Sequence, residues 1–266
     1  MAKALNPSFD KGINSALLKV FMDEKSLHYN TPKFIEEDPI SIPHLYSKAP
    51  DIEVAAFFSA LLAWGGRKQI ISSAKRLMQM MGESPHDFVM EAGTKAFAQT
   101  NRFIHRTFCG ADIQFLALSL RRIYQGHDSM QAFFLQHATA ESLQPAIHAF
   151  RVECLRVKHQ RRSEKHLADP FRGSAAKRMN LFLRWMVRND GRGVDFGIWQ
   201  HIPASSLSCP LDVHSGRVAR KLGLLSRRYD DATAVVELDK SLRAMDEKDP
   251  VKYDFALFGL GMYEDF

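Results

Sequence analysis

The chain has 266 residues, 45% of them hydrophobic and 25% charged, with a formal net charge of +6 and a pI of about 9.2. Those values exclude a disordered or collagen-like chain and leave room for one large core or two lobes. The basic balance points to an anionic partner, while Cys109, Cys154 and Cys209 lie too far apart for a disulfide framework or metal-ligand spacing.

The opening "MAKALNPSFDKGINS" lacks an apolar core, so no signal peptide is expected. The longest apolar run, "VAAFFSALLAW", falls short of the ~20 residues that a spanning helix needs. A cytoplasmic chain is expected, with no membrane partner. Apolar residues then recur at helical spacing from end to end. The pattern predicts helices over 12–25, 52–64, 68–81, 85–91, 113–124, 130–137, 143–158, 175–188, 213–222, 233–245 and 250–260. Strand signals are scarce. The Asp-Gly of "NDGRG" follows "LFLRWMVR" at helical spacing and reads as a helix stop. The fold class is all-α.

Two of these helices read as buried. The one over 52–64 is apolar nearly all round, as a central helix should be. The one over 250–260 has Asp249 as expected cap, Pro250 at its first position and Gly261 as expected stop. Between them, residues 151–178 hold nine Lys and Arg against three acids. The excess, nine minus three, equals the net charge of the whole chain. Such a run is either a solvated helix end with its loop or a phosphate-facing surface.

Four segments, taken in order, resemble the helix-hairpin-helix DNA glycosylases typified by endonuclease III. "IEVAAFFSALLAWGGRKQIISSAKRLMQ" is similar to the early buried helix of that superfamily and the helix after it. "GSAAKRMNLFLRWMVR" resembles the end of its hairpin and the following helix, with Ala175 where the pattern G-x-G-x-K has its second glycine. "PLDVHSGRVARKLGLL" resembles its P-x-D-x-H-x-x-R-V-x-x-R-L-G segment, the most specific of the four. "VVELDKSLRAMDEKDPVKYDFALFGLG" resembles its closing helix pair. The glutamine that members often carry near the early helix corresponds to Gly65, and the iron–sulfur cysteines of many members are not found. The whole sequence also resembles a group of bacterial hypothetical proteins.

The resemblance implies two helical lobes with a helix-hairpin-helix-like element and a groove between them. Residues 51–188 would form a central bundle ending in the hairpin, and residues 189–266 a C-terminal lobe carrying the Asp segment. Residues 1–50, which the resemblance does not cover, are expected to pack with that lobe. The insert "NDGRGVDFGIWQHIPASSLSC" supplies a loop and an expected short helical turn around Trp199.

The resemblance also implies DNA base-excision repair, with abasic-site lyase activity as an extension. Asp212 would stabilise positive charge on the sugar, and Lys177 would attack the anomeric carbon. Desolvation and the cations Arg178 and Arg172 are expected to make that amine easier to deprotonate. Gly173, Ser174, Arg172, Arg178, His214 and Arg217 would hold the DNA backbone, and Trp64, Phe196 and Trp199 are candidates for the wall of a flipped-base pocket. Each residue also has an ordinary reading: Asp212 is a good N-cap, Lys177 sits in the first turn of a helix, His214 could satisfy a carbonyl, and Trp64 could fill a helix end. The eleven histidines show no helical ligand pair with a carboxylate, so neither a metal nor a cofactor is expected. The expected partner is DNA, damaged duplex in particular, with RNA as a further candidate, bound by a monomer at the nucleoid. A helix-hairpin-helix nucleic-acid binder without the chemistry is the alternative.

Overall fold

The computed structural model describes residues 15–264 and 266. Among them the chain is mainly helical: α1 (Ser15–Tyr29), α2 (Pro32–Glu36), α3 (Ala49–Leu62), α4 (Arg67–Met81), α5 (Pro85–Glu91), α6 (Thr94–Thr100), α7 (Gly110–Gly126), α8 (Met130–His137), α9 (Gln144–Cys154), α10 (Lys177–Val187), α11 (Val213–Lys221), α12 (Ala232–Met245) and α13 (Tyr253–Tyr263). The expectation of a helix from residue 12 lies outside the described residues for positions 12–14. The expected helices over 52–64 and 213–222 correspond to α3 and α11. Two short helices, α2 and α6, carry too few apolar residues to show a period and have no counterpart in the sequence reading.

A small antiparallel hairpin, β1 (Ile104–His105) and β2 (Phe108–Cys109), interrupts the helices. Two-residue strands leave no alternating pattern to read. His105 locks the hairpin beneath the α3–α4 junction, between the Ser73 hydroxyl at 2.9 Å and the Leu62 carbonyl at 3.1 Å. Arg106 in its turn has φ 52° and lays its guanidinium over the Trp64 ring, 4.4 Å from the centroid.

Two buried clusters organise the chain. The first is built on α3, which is buried along nearly its whole length. Glu53 on α3 is buried and accepts from the Tyr124 hydroxyl at 2.7 Å and the Trp199 indole N–H at 2.6 Å. The second holds Met22 of α1 with residues of α11, α12 and α13. The described residues before 51 therefore divide. Met22 joins the C-terminal core, whereas Ile40 and Ile42 join the central one. The insert after α10 also differs from expectation. Val194, Trp199, Ile202 and Leu207 belong to the central core, and the short helical turn falls at Ala204–Ser206 rather than around Trp199.

The C-terminal helix corrects two further expectations. Asp249 is not its cap; both its carboxylate oxygens accept from Arg188 Nε at 3.0 Å. Gly261 does not end it, because α13 runs on to Tyr263. The glycines of α13 serve close packing. A Cβ at Gly261 would lie 3.2 Å from Val218 Cγ2 and 3.3 Å from the His214 carbonyl, and one at Gly259 would overlap the Tyr29 ring. Small residues here let α1 and α11 approach the backbone of α13 directly.

Candidate active site

The first helix of the expected hairpin is replaced by two 3-10 segments, Arg161–His166 and Pro170–Arg172. Gly173 follows with φ 88°, and the chain reaches α10 through Ser174, Ala175 and Ala176. The second left-handed position is Ala176, at φ 48°, rather than Ala175. An L-residue there costs about 1–2 kcal/mol, and the turn is held by surrounding bonds. The Ser174 hydroxyl accepts from the Ala176 N–H at 3.1 Å, Asn180 Nδ2 donates to the Ala175 carbonyl at 3.0 Å, and the Ala232 N–H donates to the Gly173 carbonyl at 3.0 Å. The last of these ties the hairpin to the start of α12. Lys177 is the first residue of the helix so launched.

Asp212 begins the other half. Its Oδ1 accepts from the N–H groups of His214 at 2.9 Å and Ser215 at 3.0 Å, while the Ser215 hydroxyl accepts from the Asp212 N–H at 2.8 Å. This reciprocal cap fixes the entry of α11. The carboxylate's second oxygen, Oδ2, is left to face the cleft, and Lys177 Nζ lies 2.8 Å from it. Two helix starts 35 positions apart (212 minus 177) thus meet at one ion pair. Its side chains remain 33% and 18% exposed, so both groups are reachable from solvent. Burial alone would raise the Asp212 carboxyl, but the Lys177 charge and the N–H of Ser215 outweigh it and hold it below the ordinary carboxylate range.

The pair lies in a cleft of about 930 Å³ bordered by both cores. α10 presents Lys177, Leu181 and Arg184 to it, and α13 presents Asp254, Phe258 and Met262. Each set is spaced by three or four residues, the signature of one helical face. Arg184 is buried and bound to Asp195 at 3.2 Å and to Asp254, which anchors the base of α10. Trp64 stands on the rim, 47% exposed, with Gly65 and Gly66 leading into α4.

Several expected site residues fall elsewhere. Trp199 is 1% exposed in the central core, and Phe196 packs on His44 with ring centroids 4.3 Å apart. Neither lines the cleft. The indole N–H is committed to Glu53, which is why the insert folds inward there. Phe34 and Phe258, edge-to-face at 5.8 Å, supply the aromatic wall instead. Arg178 lines the cleft, but its guanidinium is engaged by the protein: it donates to the Leu61 carbonyl at 2.8 Å, and burial pushes it down to about 10. Arg217 donates to the Gly261 carbonyl at 2.9 Å, leaving its remaining donors outward. Arg172 and His214 are exposed, and His214 borders the cleft. Within the basic run, Arg151 and Arg162 are likewise spent on internal partners, whereas Lys158, Arg161 and Lys165 stay exposed.

Asp38 at the floor of the cleft was not legible as a site residue. Its only signal is the Asp-Pro step of "EEDP", which reads as a turn. Among the described residues no group of three or more His, Cys, Asp and Glu could hold a metal, and no helix is long and apolar enough to cross a membrane.

With this geometry in view, the family described as a protein of unknown function, DUF2400, matches residues 38–263. The chain belongs to that family. No curated protein and no solved structure matches it. The range matched to DUF2400 opens at Asp38 and includes both members of the Lys177–Asp212 pair.

Proposed function

We propose that this protein is a DNA base-excision glycosylase with abasic-site lyase chemistry, acting on a base flipped out of the duplex. The observation that carries the reading is a primary amine 2.8 Å from a carboxylate at the edge of an aromatic-walled cleft. An all-α framework of two cores meeting at that cleft is consistent with it.

The chemistry asks little more of the protein. An extruded nucleotide would enter between Trp64 on the rim and the Phe34–Phe258 wall, and its sugar would displace the ion pair. Lys177 gives up a proton, and its lone pair attacks C1′ of the sugar. The electrons of the C1′–N bond leave with the base, which takes up a proton. Positive charge on the sugar in that step faces Asp212 Oδ2, whose negative charge stabilises it. Ring opening then yields an imine between Nζ and C1′. Loss of a C2′ proton expels the 3′ phosphate, and water releases the amine. Gly173, Ser174 and the outward donors of Arg172 and Arg217 are the groups available to the strand, with Lys158, Arg161 and Lys165 extending the basic surface.

Borohydride trapping tests the reading. The wild-type protein, mixed with a duplex carrying an abasic site, should give a covalent adduct after reduction, and Lys177→Ala should give none. Absence of an adduct with wild-type protein, together with no base release from damaged duplexes, would refute the enzyme. Salt-sensitive DNA binding retained in that case would leave a nucleic-acid binder built on the same scaffold.

A further inference from the structure

Below the Lys177–Asp212 pair the cleft ends in a set of polar groups that the glycosidic chemistry does not use. Asp38 is 8% exposed. Its Oδ1 accepts from the Ile40 N–H at 3.0 Å, and Oδ2 has no hydrogen bond among the described residues. Arg184, 2% exposed, spends Nε and Nη1 on Asp195 and Asp254, but its Nη2 is buried without a partner. Arg67 repeats the pattern. It stacks over Phe258 at 4.6 Å and donates from Nη1 to the Tyr263 hydroxyl at 2.9 Å, while Nη2 is buried and unpartnered. All three residues line the cleft beside Phe34 and Phe258.

Buried donors and acceptors are almost always paired, because leaving one unmade costs the full desolvation of the group. Here two donor nitrogens, one on Arg67 and one on Arg184, are buried and unmatched, and the second carboxylate oxygen of Asp38, which accepts no hydrogen bond among the described residues, belongs to the same aromatic-walled cleft. A ligand that matched them would be flat, would present an N–H to Asp38 and would present a carbonyl oxygen to one of the arginines. An N–H directly beside a C=O on a planar ring is a lactam edge, and it is found on oxopurines and oxopyrimidines.

We infer that Asp38 is the specificity-determining residue of the cleft, reading the lactam N–H of a flipped oxo-base whose carbonyl is taken by Arg67 or Arg184. The inference rests on the glycosylase reading and adds to it a substrate class. A base with only an amino group and a bare ring nitrogen on that edge would place acceptor against acceptor at Asp38. Such a base is rejected even when it stacks equally well.

The test uses the full chain and duplexes holding 8-oxoguanine, hypoxanthine or uracil, each alongside a counterpart methylated on the lactam nitrogen. Single-turnover base release is measured for wild type and for Asp38→Asn. The asparagine still accepts from the Ile40 N–H, so the 3-10 turn at Pro39–Ser41 that Asp38 caps keeps its bond. Wild type should prefer the N–H form of the base it releases fastest over the N-methyl form by about thirtyfold, the worth of one hydrogen bond to a charged group. Asp38→Asn should bring that ratio down to about one, because with its oxygen kept on the Ile40 N–H the amide sets an NH2 donor where Oδ2 stood. A ratio near one in wild type, or an equal ratio in Asp38→Asn, overturns the inference. So does a wild-type protein that is trapped on abasic duplex yet releases none of the three oxo-bases. In each of those results a positive borohydride adduct keeps the parent reading standing, so the two failures are distinct. With neither an adduct nor release of any base, the glycosylase reading and this inference fall together.

Discussion

Replacing Asp212 separates its two physical roles, because its two oxygens are engaged differently. Oδ1 caps α11 and Oδ2 faces Lys177. Asparagine caps helices about as well as aspartate, so Asp212→Asn keeps the Oδ1 bonds and loses the charge. The lost ion pair is partly exposed and is worth at most about 1 kcal/mol. Asp212→Ala loses the cap as well, a further ~1 kcal/mol. For a chain of this size each kcal/mol moves the melting temperature by about 2–4 °C. Asp212→Asn should therefore melt ~3 °C below wild type and Asp212→Ala ~6 °C below it. In single-turnover base release both variants should fall by roughly 10²–10³, the loss seen when a preorganised electrostatic group is removed from a transition state. Thermal melts and release rates from the same preparations decide the matter. Wild-type release by Asp212→Asn would show that the carboxylate is a cap and nothing more.

Three other expectations follow from the packing. Gly259→Ala forces a methyl into the Tyr29 ring and should destabilise by about 2–3 kcal/mol, visible as a lower urea midpoint at an unchanged m-value. Ala176→Gly relieves about 1–2 kcal/mol of left-handed strain but removes a buried methyl worth ~0.8 kcal/mol and loosens the unfolded chain. It should stay within ~1 kcal/mol of wild type, and Ala176→Val should be strongly destabilised. Asp239 is buried, accepts from the Cys209 N–H at 2.9 Å, and is pushed up to about 6 by desolvation. A carboxyl raised in the folded state binds protons that the unfolded state has lost, so its contribution to stability drains away as pH rises from about 4 to about 6. Relative to wild type, Asp239→Asn should thus gain up to ~3 kcal/mol between pH 4 and 7, read from urea titrations at each pH. No pH-dependent gap between the two proteins would refute that assignment.

How much of this was readable in advance depended on the reach of each interaction. Helices with an apolar period, such as α10 and α11, announce themselves, as do the all-apolar α3 and a cap followed by an amphipathic run at Asp212. The Lys177–Asp212 meeting was legible only through the resemblance, since nothing local in either segment refers to the other. What stayed hidden was decided by tertiary partners. Trp199 looked like a free aromatic until Glu53 claimed its N–H. Arg178 looked like a phosphate contact until the Leu61 carbonyl took it. Gly261 looked like a helix stop, yet its bareness is used by α11 lying against it. Asp38 carries no periodic or motif signal, and only the folding of an early turn beneath a late helix makes it part of a site.

The helix α13 contributes Val251 and Phe255, just before and within it, to one core, and Tyr253, Ala256, Leu257 and Leu260 to the other. A single rod shared in this way ties the two cores to each other along one side of the cleft. On the proposed reading, a tie of this kind would leave much of the bending that brings a nucleotide into the cleft to the nucleic acid. Its stiffness at each sequence, as much as any side chain, would help to choose where the protein acts.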